Sequence, residues 1–150
     1  MIRICVSTDP IDLADEMARV EGSHVGAVAS FCGLVRADDG VDVLELEHYP
    51  GATEAALERI AQTATQRWSL QAATIVHRVG PMRPGERIVL VVTAAPHRRD
   101  ALDGCAYLID RLKTDAPFWK RETRGDQARW VEARDSDHAA SERWQDGEAL

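Results

Sequence analysis

Lysine occurs twice in this chain, at Lys113 and Lys120, whereas the other sixteen of its eighteen Lys and Arg residues are arginine. The pair brackets Ala116-Pro117-Phe118-Trp119 and is the most informative local signal in the sequence. Arginine stays charged in proteins, but a lysine that loses water can release its proton and serve as nucleophile or acid/base. At about 100° per residue, Lys113 falls between Ala106 and Ile109 on the apolar stripe of its helix, which predicts a partly desolvated amine. Burial would favour the neutral amine, while the helix C-terminus and a bound anion would favour the ammonium, so both protonation states stay open. Lys120, in a strand that starts at Phe118, shares a face with Phe118 and opposes Trp119. The competing explanation is that two lysines simply survive in an arginine-biased composition.

A second basic group, His97-Arg98-Arg99, falls at a predicted helix N-terminus. Free backbone N–H groups favour an anion there, and a guanidinium can grip a phosphate with two hydrogen bonds. Arg36 closes an apolar strand and is a candidate for the same pocket. The alternative for all of them is a solvated charge group, since exposed Arg and His at helix starts are common. Cys5, Cys32 and Cys105 are widely separated and form none of the close pairs that zinc or a redox dithiol needs, so free thiols are expected. His24, His48, His77 and His138 lack paired ligand spacing; they read as structural or exposed, and no metal is expected. Trp68, Trp119, Trp130 and Trp144 read as core or interface residues.

The elements that must position these groups fit in 150 residues, the size of one domain that buries a conventional core. Hydrophobic content of 45% with 29% charged residues is ordinary for a soluble protein, and no apolar run approaches the roughly 20 residues of a membrane span. The first seven residues alternate like a strand and lack the regions of a signal peptide, so cytoplasm is the expected compartment. A net charge of -7 argues against nucleic-acid binding, which needs a clustered cationic face.

After that first strand, Pro10 and Asp12 open a short helix through about Val20, and His24 to Val35 reads as a buried strand. Ala37 to Gly40 reads as a turn into a second strand from about Asp42 to Tyr49, and the two strands are expected to pair as a hairpin. Thr53 and Glu54 begin a helix whose Leu57, Ile60, Ala61, Ala64 and Trp68 recur at helical spacing. A strand around Ala73 to Val79 leads through a Pro84-Gly85 turn to the apolar run Ile88 to Ala95. That run implies a strand covered on both faces, and it delivers His97 and Arg98 to the next helix, about Arg98 to Lys113. Two further strands, Phe118 to Thr123 and Ala128 to Arg134, flank the Gly125-Asp126 turn. The mixture without sustained parallel alternation is α+β with an extended antiparallel portion. Residues 1–134 form one domain, and 135–150 read as an acidic peripheral tail.

In order and spacing, Phe31-Cys32-Gly33-Leu34-Val35-Arg36, Glu47-His48-Tyr49-Pro50-Gly51, His77-Arg78-Val79-Gly80, Pro84-Gly85-Glu86, His97-Arg98, Leu112 through Lys120 and Arg129 through Arg134 resemble the large, catalytic subunit of molybdopterin synthase. The similarity covers roughly Gly26 to Asp137, and the segment from Lys113 to Lys120 is its most distinctive stretch. The resemblance implies an α/β hammerhead-type fold with an additional antiparallel β subdomain. It implies a heterotetramer in which two large subunits form a central homodimer and each binds one ubiquitin-like small subunit. The implied reaction moves sulfur from the small subunit's C-terminal thiocarboxylate to cyclic pyranopterin monophosphate, in two transfers that create the dithiolene of molybdopterin. The partner protein supplies the sulfur, so no cofactor is implied.

By position, the resemblance makes Lys113 and Lys120 the active-site lysines. It places His97, Arg98 and Arg36 in a substrate-anion pocket to which the dimer mate contributes, with Arg134 as a further basic residue there. A phosphate and a thiocarboxylate meeting in one cleft need cations to offset their repulsion, which agrees with this set. The sequence departs from the family pattern in the short acidic turn after Arg36, at Ala52 and Ile109, where methionine is frequent, and across Thr123 to Ala128. Two readings compete with sulfur transfer at the lysines. One is a cysteine persulfide carrier, opposed by the apolar settings of Cys32 and Cys105. The other is a module that docks a ubiquitin-like partner or an anion without chemistry.

Overall fold

Strand β6 (Arg87–Ala95) sends successive side chains to opposite faces, and nearly all of them are apolar. Val89 and Val91 join one core cluster and Leu90, Val92 and Ala94 another, so the strand lies inside a sheet covered on both faces, as its composition predicts. In the computed structural model, which describes residues 1–131, 135–142 and 144, the order around it is β1 (Ile2–Ser7), α1 (Leu13–Val20), β2 (Ala27–Leu34), β3 (Val43–His48), α2 (Ala52–Trp68), β4 (Ala72–Arg78) and β5 (Gly80–Met82). After β6 come α3 (Arg98–Asp115), β7 (Phe118–Arg124), β8 (Gln127–Val131) and α4 (Asp135–Glu142).

Two four-stranded sheets result. The first has the order β1-β4-β6-β2, with β1 parallel to β4 and the remaining pairs antiparallel. The second, β5-β3-β7-β8, is antiparallel throughout. This is the α+β architecture with a separate antiparallel sheet expected from the sequence. Helices α2 and α3 cover one face of the first sheet, where Leu57 and Leu108 are wholly buried, each stabilising the fold by about 1.5–3 kcal/mol. Helix α1 covers the other face with Ile11 and Val20. Its Asp12 cap accepts a hydrogen bond from the Asp15 backbone N–H at 3.0 Å. Buried Glu16 ties it to β1 by accepting hydrogen bonds from Arg3 at 2.7 and 3.0 Å. A third cluster, Val35, Leu44, Leu46, Val79 and Met82, packs with Ile88 and Phe118 at the seam between the sheets.

The expected hairpin of the second and third strands does not form. Strand β2 pairs with β6 in the first sheet, and β3 pairs with β5 and β7 in the second. The chain between them therefore crosses the seam. Nor is β2 a fully buried strand, because it is an edge of its sheet and leaves Phe31 and Leu34 exposed. The short strand β5, unforeseen in the sequence, has Pro81 on the sheet edge and precedes the expected Pro84-Gly85 turn, which forms with the Glu86 N–H donating to the Arg83 carbonyl at 3.1 Å. Trp144, in the stretch read as a peripheral tail, donates from Nε1 to Asp110 at 2.8 Å and packs edge-on against Trp68.

Candidate active site

The two lysines reach one cleft from a helix and a strand. Lys113 stands in the last turn of α3, which packs on the first sheet; Lys120 lies in β7 of the second, between Leu46 of β3 and Val131 of β8. Between them the chain turns at Asp115-Ala116-Pro117, where Pro117 ends the helix because its ring blocks the next helical turn. Wholly buried Thr53 holds this turn. Its hydroxyl donates to the Pro117 carbonyl at 3.0 Å and accepts from the Tyr49 N–H at 3.0 Å, linking it to the start of α2.

The cleft has two contiguous compartments that share Ile88, Lys113 and Lys120. The inner one, about 120 Å³, is walled mainly by Leu46, Val89, Leu112, Ala116, Phe118 and Val131, with His77 among them. The outer one, about 220 Å³, adds Arg36, Asp38 and Glu122. Among the described residues, three cations thus face two carboxylates in the outer compartment, whereas Lys113 and Lys120 supply the charge of the inner one. Arg36 is exposed and paired with Asp38 at 3.1 Å. Among the described residues, no group of three or more His, Cys, Asp or Glu is placed to hold a metal ion.

Lys113 is exposed at the rim, which corrects the expected desolvation of its amine. The helical stripe gives the direction of the side chain, but the last turn of α3 reaches beyond the cover of the sheet. His97 and Arg98 are exposed at the opposite end of the same helix, so one chain alone does not bring them to the lysines. Fifteen residues of helix separate Arg98 from Lys113, about 22 Å at 1.5 Å per residue. Arg134 lies outside the described residues.

His77 is the residue that sequence reasoning passed over. It is 5% exposed and stacks on Phe118 with ring centroids 4.1 Å apart. Its Nδ1 lies 2.9 Å from the Arg78 carbonyl oxygen. Burial is the main cause that pushes its pKa down from 6.5 to about 4, with Lys113, His48 and Lys120 adding to the effect. The available signal was one imidazole directly after the apolar pair Ile75-Val76 in a mostly buried strand. The cysteines are set apart: none lines the cleft, and burial pushes the Cys105 thiol up to about 11, away from the reactive thiolate. This geometry disfavours a cysteine persulfide as the sulfur carrier.

A family model described as MoaE protein matches residues 6–115. A molybdopterin synthase catalytic subunit of Rhizobium meliloti (strain 1021) is 48% identical over 148 residues, covering 95% of this chain and 96% of that relative. Among solved structures, the molybdopterin biosynthesis MoaE protein of Burkholderia ambifaria MC40-6 superposes with a TM-score of 0.85 at 50% identity, covering 97% of this chain and 99% of the other. The fold alone is shared with a chain from the complex of subunits 1 and 2 of the molybdopterin-converting factor of Helicobacter pylori 26695. That chain is 21% identical, with a TM-score of 0.75 and coverage of 89% and 91%.

Proposed function

The chain belongs to the MoaE protein family and is a molybdopterin synthase catalytic subunit of molybdenum cofactor biosynthesis, and from that premise we propose how its cleft works. The cleft receives the C-terminal thiocarboxylate of a ubiquitin-like small subunit in its inner compartment and presents it to cyclic pyranopterin monophosphate in the outer one. Lys113 and Lys120 sit where the compartments meet, so either amine can screen the thiocarboxylate or exchange a proton with the reacting centre. Arg36 supplies further positive charge on the phosphate side. The observation that carries this reading is that the chain's only lysines, one from helix α3 and one from strand β7, line one cleft.

A second copy completes the phosphate pocket in this proposal. Strand β2 runs along an open sheet edge from Ala27, paired with Ala95 just before His97, to Leu34, two residues before Arg36. Antiparallel pairing of two such edges about a twofold axis would bring His97 and Arg98 of one copy toward Arg36 and the lysines of the other. It would also cover Phe31 and Leu34. The reaction is assigned to the cytoplasm; among the described residues no helix is long and apolar enough to cross a membrane.

The test is to mix the protein with thiocarboxylated small subunit and cyclic pyranopterin monophosphate and to measure dithiolene product in a single turnover. Product from the wild type, lost in Lys113→Ala while the small subunit still binds, is the expected result. Wild-type turnover in both Lys113→Ala and Lys120→Ala would overturn the assignment.

A further inference from the structure

Among the described residues, the inner compartment is short of side-chain hydrogen-bond acceptors. A polypeptide end lying in it exposes carbonyl or carboxyl oxygens, which accept, and peptide N–H groups, which donate; each is costly to bury without a partner. As ammonium groups, Lys113 and Lys120 only donate, which suits the oxygens. Of the described side chains lining this compartment, His77 alone can accept from an N–H.

Its ring is held for that purpose. The Arg78 carbonyl, 2.9 Å from Nδ1, can only accept, so Nδ1 carries the proton and Nε2 keeps its lone pair. Stacking on Phe118 fixes the ring plane. Among the described residues Nε2 has no hydrogen-bond partner, and the residue lines the compartment. Lys113 from α3, Lys120 from β7 and His48 from β3 are the titratable groups whose charge disfavours a second proton on this ring. Ile88 and Val89 from β6 and Val131 from β8 add only apolar surface.

We propose that His77 is a positioning residue whose Nε2 accepts a hydrogen bond from a peptide N–H of the small subunit's C-terminal tail, setting the depth at which that tail meets the two lysines. The proposal rests on the reading that this tail enters the inner compartment. Desolvation keeps the ring neutral, and hence an acceptor, throughout the neutral pH range.

The experiment is a binding cycle by titration calorimetry, using wild-type protein, His77→Phe and His77→Asn against the intact small subunit and a form lacking its last two residues. Phenylalanine preserves the stack, whereas asparagine keeps a donor for the Arg78 carbonyl, so one variant remains informative if the other fails to fold. Both variants are expected to weaken binding of the intact small subunit about 3- to 10-fold, the range of one net hydrogen bond, and to leave binding of the shortened form unchanged. His77→Gln, which can return an acceptor near the Nε2 position, is expected to recover most of the loss. Equal weakening of both forms would overturn the proposal, because it would mark a purely structural role, and so would unchanged binding of both. If shortening the tail left wild-type binding unaltered, the functional reading beneath the proposal would fail as well, and that result is distinct from the other two.

Discussion

Acidification should unfold this protein partly through His77, and the size of the effect can be worked out. The folded state holds the imidazole neutral until about pH 4, whereas in the unfolded chain it takes up a proton near its ordinary 6.5. A depressed folded pKa means that the unfolded state binds more protons between those values. Stability is therefore full above 6.5, falls as pH drops through that window, and is not regained below 4. Between pH 7 and pH 5 this one group removes about 2 kcal/mol, approaching about 3 kcal/mol below pH 4. The perturbation is His77→Phe, which keeps an aromatic ring against Phe118 but has nothing to titrate. Urea unfolding at pH 7, 6 and 5 reads the difference, at fixed protein concentration because self-association would shift the midpoint. Wild type should lose about 2 kcal/mol more than the variant across this range, other carboxyl and histidine contributions being common to both. Parallel pH profiles would refute the claim that desolvation holds His77 neutral.

Lys113→Ala and Lys120→Ala should each slow single-turnover product formation by about 100-fold or more, the scale of a lost acid/base or charge-stabilising group, with the small subunit still bound by calorimetry. If the site is shared between copies, co-expressing Lys113→Ala with Arg98→Ala should restore about a quarter of the wild-type sites, because half of the randomly paired dimers carry one intact site of two; no recovery in a purified mixed dimer would refute sharing. Gly26→Ala puts a Cβ 1.9 Å from the Pro96 carbonyl oxygen and should destabilise by about 1–3 kcal/mol, read as a lower urea midpoint. Trp144→Ala removes the tail's packing on Trp68 and Tyr107 and its bond to Asp110. A cost of about 2 kcal/mol would lower Tm by roughly 4–8 °C, measurable by calorimetry.

Helices α1 to α3 and the central strand β6 were legible because their periodicity is written locally, whereas α4 went unread in the acidic tail. Leu57, Ile60, Ala61 and Ala64 mark the inner face of α2, and the run from Ile88 to Ala95 marks a strand with two covered faces. Strand pairing was not, since β2 and β3 are neighbours in sequence but find β6, β5 and β7 through contacts that no local pattern encodes. Strand β5 escaped notice because three residues containing a proline carry no alternation. At the site, the scarcity of lysine was visible in composition, and so was the length of helix separating His97 from Lys113. The place of His77 in the cleft was hidden, because its surroundings are assembled from β3, β6, α3, β7 and β8.

The turn gripped by Thr53 sets the spacing of the two lysines across the cleft. Leu112 is locked beneath its helix, and Phe118 begins β7 in register with His48, so the tract from Lys113 to Lys120 has slack at neither end. A residue added there could bulge only at Asp115 to Pro117, spreading the amines apart while both sheets stayed intact. Such a lengthened chain would be well folded and inert, whereas the exposed β7–β8 bend at Gly125 should accept extra length without that penalty.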